Sequence, residues 1–323
     1  MVKSASGRIG SGVDRNSLRA RSKPWLVFAV LAASVAALLW GLDWYRHRFV
    51  RADRDLFRFL PQSDATIFYV NVAALRRAGM LQVFAGTAAA EEADYRSFVR
   101  ETRFDYRTDI DAIAGAADGQ QVFFVVRGRF DWNKLRAYAA AHGGSCTGEL
   151  CDAPTSKAGR WASFLPVQPD VMALALSANR MAVEAVRPPG HALAEEIPER
   201  PVWARVSQSV LKDPASLPVA VRIFAISLQF ANPVVLSARP ADAHSEEFTL
   251  ELDAQCASAA MAEGIRNQLE IDTKMLKLEL AREHAQANAA DLTGLLTSGS
   301  FQVVGKRVIA TWPIREELLK SLR

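Results

Sequence analysis

Residues Trp25–Leu42, WLVFAVLAASVAALLWGL, form eighteen consecutive positions without a charge, bounded by Lys23-Pro24 and Asp43. As a helix rising 1.5 Å per residue, this run would be about 27 Å long, close to the hydrocarbon thickness of a bilayer. An apolar segment of that length must be covered on every side, so it constrains the chain more than any other stretch. The sequence predicts a transmembrane helix over residues 24–42. Trp25 at one end, and Trp40, Trp44 and Tyr45 at the other, suit the interfacial aromatic belts. A cleaved signal peptide is the alternative. Against it, the leader before Trp25 is long, and Leu38-Leu39-Trp40 continues the apolar run beyond the small residues Ala32–Ala37.

The segment 1–23 carries Lys3, Arg8, Arg15, Arg19, Arg21 and Lys23 against one acid, Asp14. By the positive-inside rule this reads as a basic cytoplasmic tail, with the C-terminal bulk extracytoplasmic. The chain as a whole has 39 Lys and Arg against 35 Asp and Glu. The tail holds more than the whole of that excess, so the remainder, with 33 basic and 34 acidic residues, is close to neutral and offers no basic surface for nucleic acid.

Three cysteines occur. Cys146 and Cys151 lie in GGSCTGELCDAP, where a short glycine-rich gap lets two thiols meet in an oxidising compartment. The C-x4-C spacing, with one distant third cysteine and no accompanying His pattern, is a poor zinc site. Cys256 is expected near the start of a long helix, as a buried small apolar residue.

Residues 43–62 read as a helical juxtamembrane stalk, because DWYRHRFVRADRDLFRFL contains no Gly or Pro before Pro61. The rest divides at Pro188-Pro189-Gly190 into halves at 63–190 and 191–323. In the first half, strands are expected at Thr66–Val72, Asp109–Ala116 and Gln120–Arg127. A helix capped by Asp131 should span Trp132–Ala141, with further strands near 145–152, 160–165 and 170–176. In the second half, strands are expected at Val202–Val206, Val234–Arg239 and Glu247–Asp253, a long helix at Cys256–Gln286, and a hairpin around Gly305-Lys306. Both halves read β-α-β-β-α-β-β-α. The expected fold class is α+β, an N-terminal transmembrane helix followed by two ferredoxin-like halves related by internal duplication.

FLPQSDATIFYVNVAALRRAGML at 59–81, ETRFDYRTDID at 101–111 and VVRGRFDWNKLRA at 125–137 resemble a family of bacterial envelope proteins, many with an N-terminal signal or anchor. The resemblance is good over 59–187 and loose beyond. It implies a fold and an envelope location and brings no activity; with the apolar run and basic tail, the expected location is the bacterial inner membrane, single-pass.

No catalytic signature rises above chance. Asp105, Asp109 and Asp111 in FDYRTDIDA offer carboxylates, but not the spacing of a calcium loop. Ser209-Val-Leu-Lys212 matches S-x-x-K without the companion motifs of penicillin-recognising enzymes. The histidines, His47, His142, His191, His244 and His284, show no metal-ligand spacing. No cofactor or metal is expected. In the long helix, Met261, Ile265, Leu269, Leu276 and Leu280 form one apolar stripe, and Ile271, Met275 and Leu278 form a second at another angle. The first must cover a sheet; the second is a candidate contact face. The expected function is a non-enzymatic, membrane-anchored extracytoplasmic protein that binds a protein partner or another envelope constituent. A binder of lipid or apolar small molecules between the halves is the second reading, and an extracytoplasmic hydrolase the third.

Overall fold

β-Branched, aromatic and alanine residues alternate between buried and half-buried positions along most strands of this chain, the period expected of a pleated sheet. The computed structural model describes residues 53–61, 64–81, 93–186, 198–240, 248–282, 287–315 and 317–318. The elements are, in chain order, a 3-10 segment Asp53–Phe59, β1 (Thr66–Val70), α1 (Val72–Arg77), α2 (Ala93–Thr102), α3 (Tyr106–Asp109), β2 (Ile110–Ala117) and β3 (Val122–Gly128). There follow α4 (Trp132–Ala141), β4 (Ser145–Thr147), β5 (Leu150–Pro154), β6 (Trp161–Gln168), β7 (Val171–Ser177) and a 3-10 turn Ala182–Ala185. The remainder comprises β8 (Val202–Val206), α5 (Gln208–Lys212), a 3-10 turn Pro214–Ser216, α6 (Val219–Ser227), β9 (Val234–Pro240), β10 (Phe248–Gln255), α7 (Ala259–Arg282), α8 (Leu292–Thr297), β11 (Ser300–Val304) and β12 (Arg307–Ile314).

All these strands join one sheet in the order β11-β12-β10-β9-β8-β1-β2-β3-β7-β6-β5-β4. Every pairing is antiparallel. This corrects the expectation of two ferredoxin-like halves. A ferredoxin-like unit sets strands parallel across a β-α-β crossover. Here the strands on either side of α1–α3, β1 and β2, are antiparallel neighbours, as are β8 and β9 across α5 and α6. The path β1-β2-β3-β7-β6 is traced again by β8-β9-β10-β12-β11, and the β4–β5 hairpin extends the first. The two paths meet at β1 and β8, from Ile67 opposite Arg205 to Val70 opposite Val202, so one continuous sheet replaces two.

The single-pass, inner-membrane reading of residues 24–42 is likewise corrected. Among the described residues no helix is long and apolar enough to cross a membrane. The longest, α7, has the length but carries Glu263, Arg266, Glu270, Asp272, Lys274, Lys277 and Glu279 along it. Residues 25–42 themselves lie outside the described residues, as does the basic tail.

The expected stalk gives way to core. Leu56 is fully buried, and Phe57, Phe59 and Leu60 are nearly so, packed on Ile67, Tyr69, Phe123, Val125 and Trp203. The sheet makes room for them with small residues, Ala112, Ala114 and Ala116 on β2 and Ala173 and Ala175 on β7. A short segment with large side chains can lie close to such a surface without voids. The opposite face of the second half is covered by α6, α7 and α8, through Phe224, Leu228, Ile265, Leu269, Leu295 and Leu296. Gly115 is fixed by packing as well: a Cβ there would sit 2.1 Å from the ring of Phe68, its register partner on β1.

The folded body therefore includes Leu56–Leu60, which precede residue 63. Leu56→Ala should lower unfolding stability by roughly 3 kcal/mol, within the range for emptying a fully buried leucine site. Removal of residues 1–60 should abolish the cooperative urea transition, whereas removal of residues 1–51 should preserve it. Equal transitions for the two truncations would show that Leu56–Leu60 are dispensable.

Candidate functional site

The carboxylates of FDYRTDIDA fold into their own arginine clamps. Asp105 is the N-cap of α3 and accepts from the backbone N–H of Arg107. Its carboxylate also takes the Arg107 guanidinium at 2.6 Å and the Tyr95 hydroxyl at 2.9 Å. Asp109 closes α3, where its side chain accepts the Asp105 N–H at 2.8 Å and Arg129 at 2.9 Å. Asp111 faces Arg76 at 3.6 Å. Asp109 thus stands in a helical turn, not in the strand expected over Asp109–Ala116. The Arg107 guanidinium holds the Asp105 carboxyl down to about 2, while burial and Asp105 push the Tyr95 phenol up. With each carboxylate already facing a guanidinium, the cluster lacks free charge for a cation, and no metal-type grouping occurs among the described residues.

The S-x-x-K match lies within the short, capped helix α5. Ser207 is the N-cap of α5, accepting from the Val210 N–H. Ser209 Oγ lies 2.9 Å from Ser207 Oγ and donates to the Asp64 carbonyl at 3.4 Å. Ser209 is therefore spent on the β8–α5 junction rather than on Lys212. Of the histidines, His142 alone falls among the described residues. Its Nε2 lies 2.9 Å from Glu101 Oε2, and its ring stacks on Tyr138 at 4.0 Å, tying α4 to α2. Ser97 donates to the same Glu101 carboxylate at 2.9 Å. A serine bonded to the carboxylate is in the wrong order for a nucleophile, which must be bonded to the base.

Sequence reasoning missed one internal polar knot. Asp53 accepts from Tyr69 Oη, from Arg127 Nη1 at 2.5 Å and from Asn71 Nδ2 at 3.4 Å. Burial, and then the Asp53 bond, push the Tyr69 phenol well above its ordinary range. Phe57 stacks on Trp203 at 5.3 Å beside it. The knot anchors the 3-10 segment to β1 and β3 through Tyr69 and Arg127.

Cys146 and Cys151 are directly opposite in the β4–β5 hairpin and are joined by a disulfide with a Cα separation of 4.0 Å. Cys256 follows β10 and precedes α7. It is buried, its N–H donates to the Lys306 carbonyl, and burial pushes its thiol up.

Two helices among the described residues turn large apolar side chains to solvent. On α7, Ile271, Met275 and Leu278 follow one another at i, i+4 and i+7 and are 47%, 54% and 63% exposed. On and just after α6, Val219, Ile226 and Phe230 are exposed too, Phe230 by 70%. The two helices are fastened by Ser227, which donates to Asp272 Oδ2 at 2.6 Å, with Gln268 holding Asp272 Oδ1 at 2.8 Å. Ile226 and Ile271 adjoin that bonded pair in sequence, so the stripes flank it. The α6 stripe escaped sequence reasoning because VAVRIFAIS is apolar nearly all round and reads as a buried helix. The i, i+4 spacing of Ile226 and Phe230 was the signal available.

No family model matches the chain, and no curated protein matches it. Among solved structures, crystal form III of a protein named TP0453 superimposes with a TM-score of 0.44 at 13% identity, covering 83% of this chain and 97% of that one. Crystal form I gives 0.42 at 14% identity, with coverages of 83% and 96%. Superposition this loose at such low identity transfers no function.

The depressed Asp105 pKa has a definite sign in stability. Its contribution is complete above the ordinary carboxylate value near 4 and is lost as pH falls toward about 2. Asp105→Asn should cost roughly 1 kcal/mol at pH 7 and flatten the stability profile between pH 4 and 2. Urea titrations across that range, showing parallel profiles for the variant and the native chain, would remove Asp105 from the account.

Proposed function

We propose that this chain is a non-enzymatic envelope component that binds a protein partner through the apolar outer surfaces of α6 and α7. The carrying observation is that Val219, Ile226, Phe230, Ile271, Met275 and Leu278 all face solvent in that one helix pair. A soluble surface seldom concentrates large apolar side chains without a contact to make. Their chemistry suits a protein. Phe230 is a large rigid anchor, and Met275 is an adaptable one. The exposed charges on α7 are of both signs, Lys274, Lys277 and Arg282 beside Glu263 and Glu279. A mixed polar rim fits a protein interface, whereas an anionic lipid surface selects a predominantly basic one. The Cys146–Cys151 disulfide supports work in an oxidising compartment. Among the described residues, Ser209, His142 and the carboxylates of Asp105, Asp109 and Asp111 are bonded to neighbouring side chains and backbone, which supports a binding role over a catalytic one.

A photo-crosslinking residue at position 278, in the full chain in its native cells, should yield a discrete protein adduct. The same residue at Lys157, on the first half, should not. Against the isolated partner, Phe230→Ala should weaken binding by about 2 kcal/mol, roughly thirty-fold, with an unchanged thermal midpoint. Adducts with lipid alone would overturn the protein-partner reading.

A further inference from the structure

The two edges of the sheet are built differently. At one end, β4 has three residues and is tied to β5 by the Cys146–Cys151 disulfide. At the other, β11 has five residues, Ser-Phe-Gln-Val-Val, and pairs with β12 alone. Exposed edges are usually guarded by charge, proline, a bulge or brevity. β11 carries no charge and no proline, and its register with β12 is unbroken from Ser300 opposite Thr311 to Val304 opposite Arg307. Among the described residues no backbone hydrogen bond reaches its outer side.

The hairpin turn decides which groups that outer side offers. Val304 and Arg307 flank the two-residue turn Gly305-Lys306, and Gly305 has φ +64°. A positive φ at the first turn position fits a type II′ hairpin, whose flanking residues form a hydrogen-bonded pair. Alternation then directs the backbone groups of Ser300, Gln302 and Val304 to β12. Those of Phe301 and Val303 point outward, two N–H donors and two C=O acceptors.

We propose that β11 is a self-association edge, to which a second copy of this chain adds its own β11 antiparallel, about a two-fold axis at Gln302. In this register Phe301 faces Val303 of the second copy, and Val303 faces its Phe301. All four outward groups are then satisfied. A register centred on Phe301 or Val303 makes only one such pair. The side chains agree with the axis. Phe301 against Val303 is an aromatic–β-branched pair on the face that α7 covers, and Ser300 meets the exposed Val304 on the other. Gln302 meets its own copy at the close, non-hydrogen-bonded spacing, where a charged residue would repel itself. This self-complementarity favours a second copy over an unrelated extended peptide, which would not need the central residue to be neutral.

Thiol crosslinking in the full chain tests the axis. Cys256 is buried and the other two cysteines are paired, so an introduced thiol reports its own position. Under the proposed axis two Gln302→Cys chains bring their Cα atoms about 4.5 Å apart, within disulfide reach. Two Ser300→Cys chains stay about 14 Å apart, beyond it. Mild oxidation should give a species of twice the chain mass for Gln302→Cys, and for an equal mixture of Ser300→Cys and Val304→Cys chains. Ser300→Cys alone should give at least ten-fold less. Gln302→Glu should weaken self-association, measured by sedimentation, by about five-fold, through like charges placed opposite each other. Equal crosslinking at 300 and 302, or none at 302 and none in the mixture, would overturn the proposal. A disulfide from position 302 to a different protein would overturn it as well, by assigning the edge to another partner.

Discussion

The antiparallel seam between β1 and β8 is the interaction on which the rest of the structure depends. Without it, each half is an open sheet with one more raw edge, and unpaired backbone groups along such an edge are costly or adhesive. With it, Tyr69 stands opposite Trp203 and the two rings lie 6.2 Å apart across the strands. Phe57 then closes over both, with centroids 5.8 Å from Tyr69 and 5.3 Å from Trp203. The Asp53 bonds to Tyr69 and Arg127 hold that lid from the polar side. Backbone pairing, aromatic packing and one partly exposed carboxylate thus converge on the junction, and a single slip of register would turn Trp203 to the opposite face.

The repeated strand path is finished differently in the two halves. In the first, α2 meets its neighbours through rings: Phe98 lies edge-on to Tyr138 of α4 at 4.9 Å, and Tyr95 contacts Tyr106 of α3 at 5.2 Å. Aromatic groups of this size fill the helix contacts, and Met181 is the exposed large apolar residue of that half among the described residues. In the second half the helix contact is made by a small polar pair, Ser227 with Asp272. A hydrogen bond to a buried carboxylate fixes the helices without consuming the apolar side chains beside it. Ile226 and Phe230, Ile271 and Met275 are left over. The same topology therefore yields one half closed on itself and one half with surface to spare.

Local signals were legible in the sequence, and long-range pairings were not. Asp131 caps Trp132–Ala141 through a bond to the Lys134 N–H, and both the cap and the helix limits follow from residues a few positions apart. Val202–Val206 is a strand by its own composition. By contrast, nothing in TIFYV says that its second neighbour is VWARV, because strand propensity describes a pleated surface and not its partner. Residues 53–59 misled for a related reason. Their charges and rings suit a solvated helix equally well, and the deciding fact is the row of alanines on β2 and β7. Cys256 was placed on the long helix, but its N–H bonds the Lys306 carbonyl and prolongs the β10 ladder before α7 begins at Ala259. The short α8 was missed because Gly294 interrupts an otherwise helical LTGLLT. That glycine is required, since a Cβ would lie 2.1 Å from the Asn288 carbonyl oxygen.

The candidate chemistry divides along the same line. A sequence shows that carboxylates, hydroxyls and a lysine are present, but not which of their bonds are already made. Asp105, Asp109 and Asp111 look like ligands until Arg107, Arg129 and Arg76 are set against them, two of these from outside the motif. Apolar stripes behave in the opposite way. Helical spacing separates the stripe of Ile271, Met275 and Leu278 from the buried one of Ile265 and Leu269 without any partner being known. Reactive groups in this protein are therefore decided by tertiary pairing, and its contact surface by local periodicity. A surface that is legible locally tolerates change elsewhere in the fold, provided that Ser227 and Asp272 keep the two helices in place.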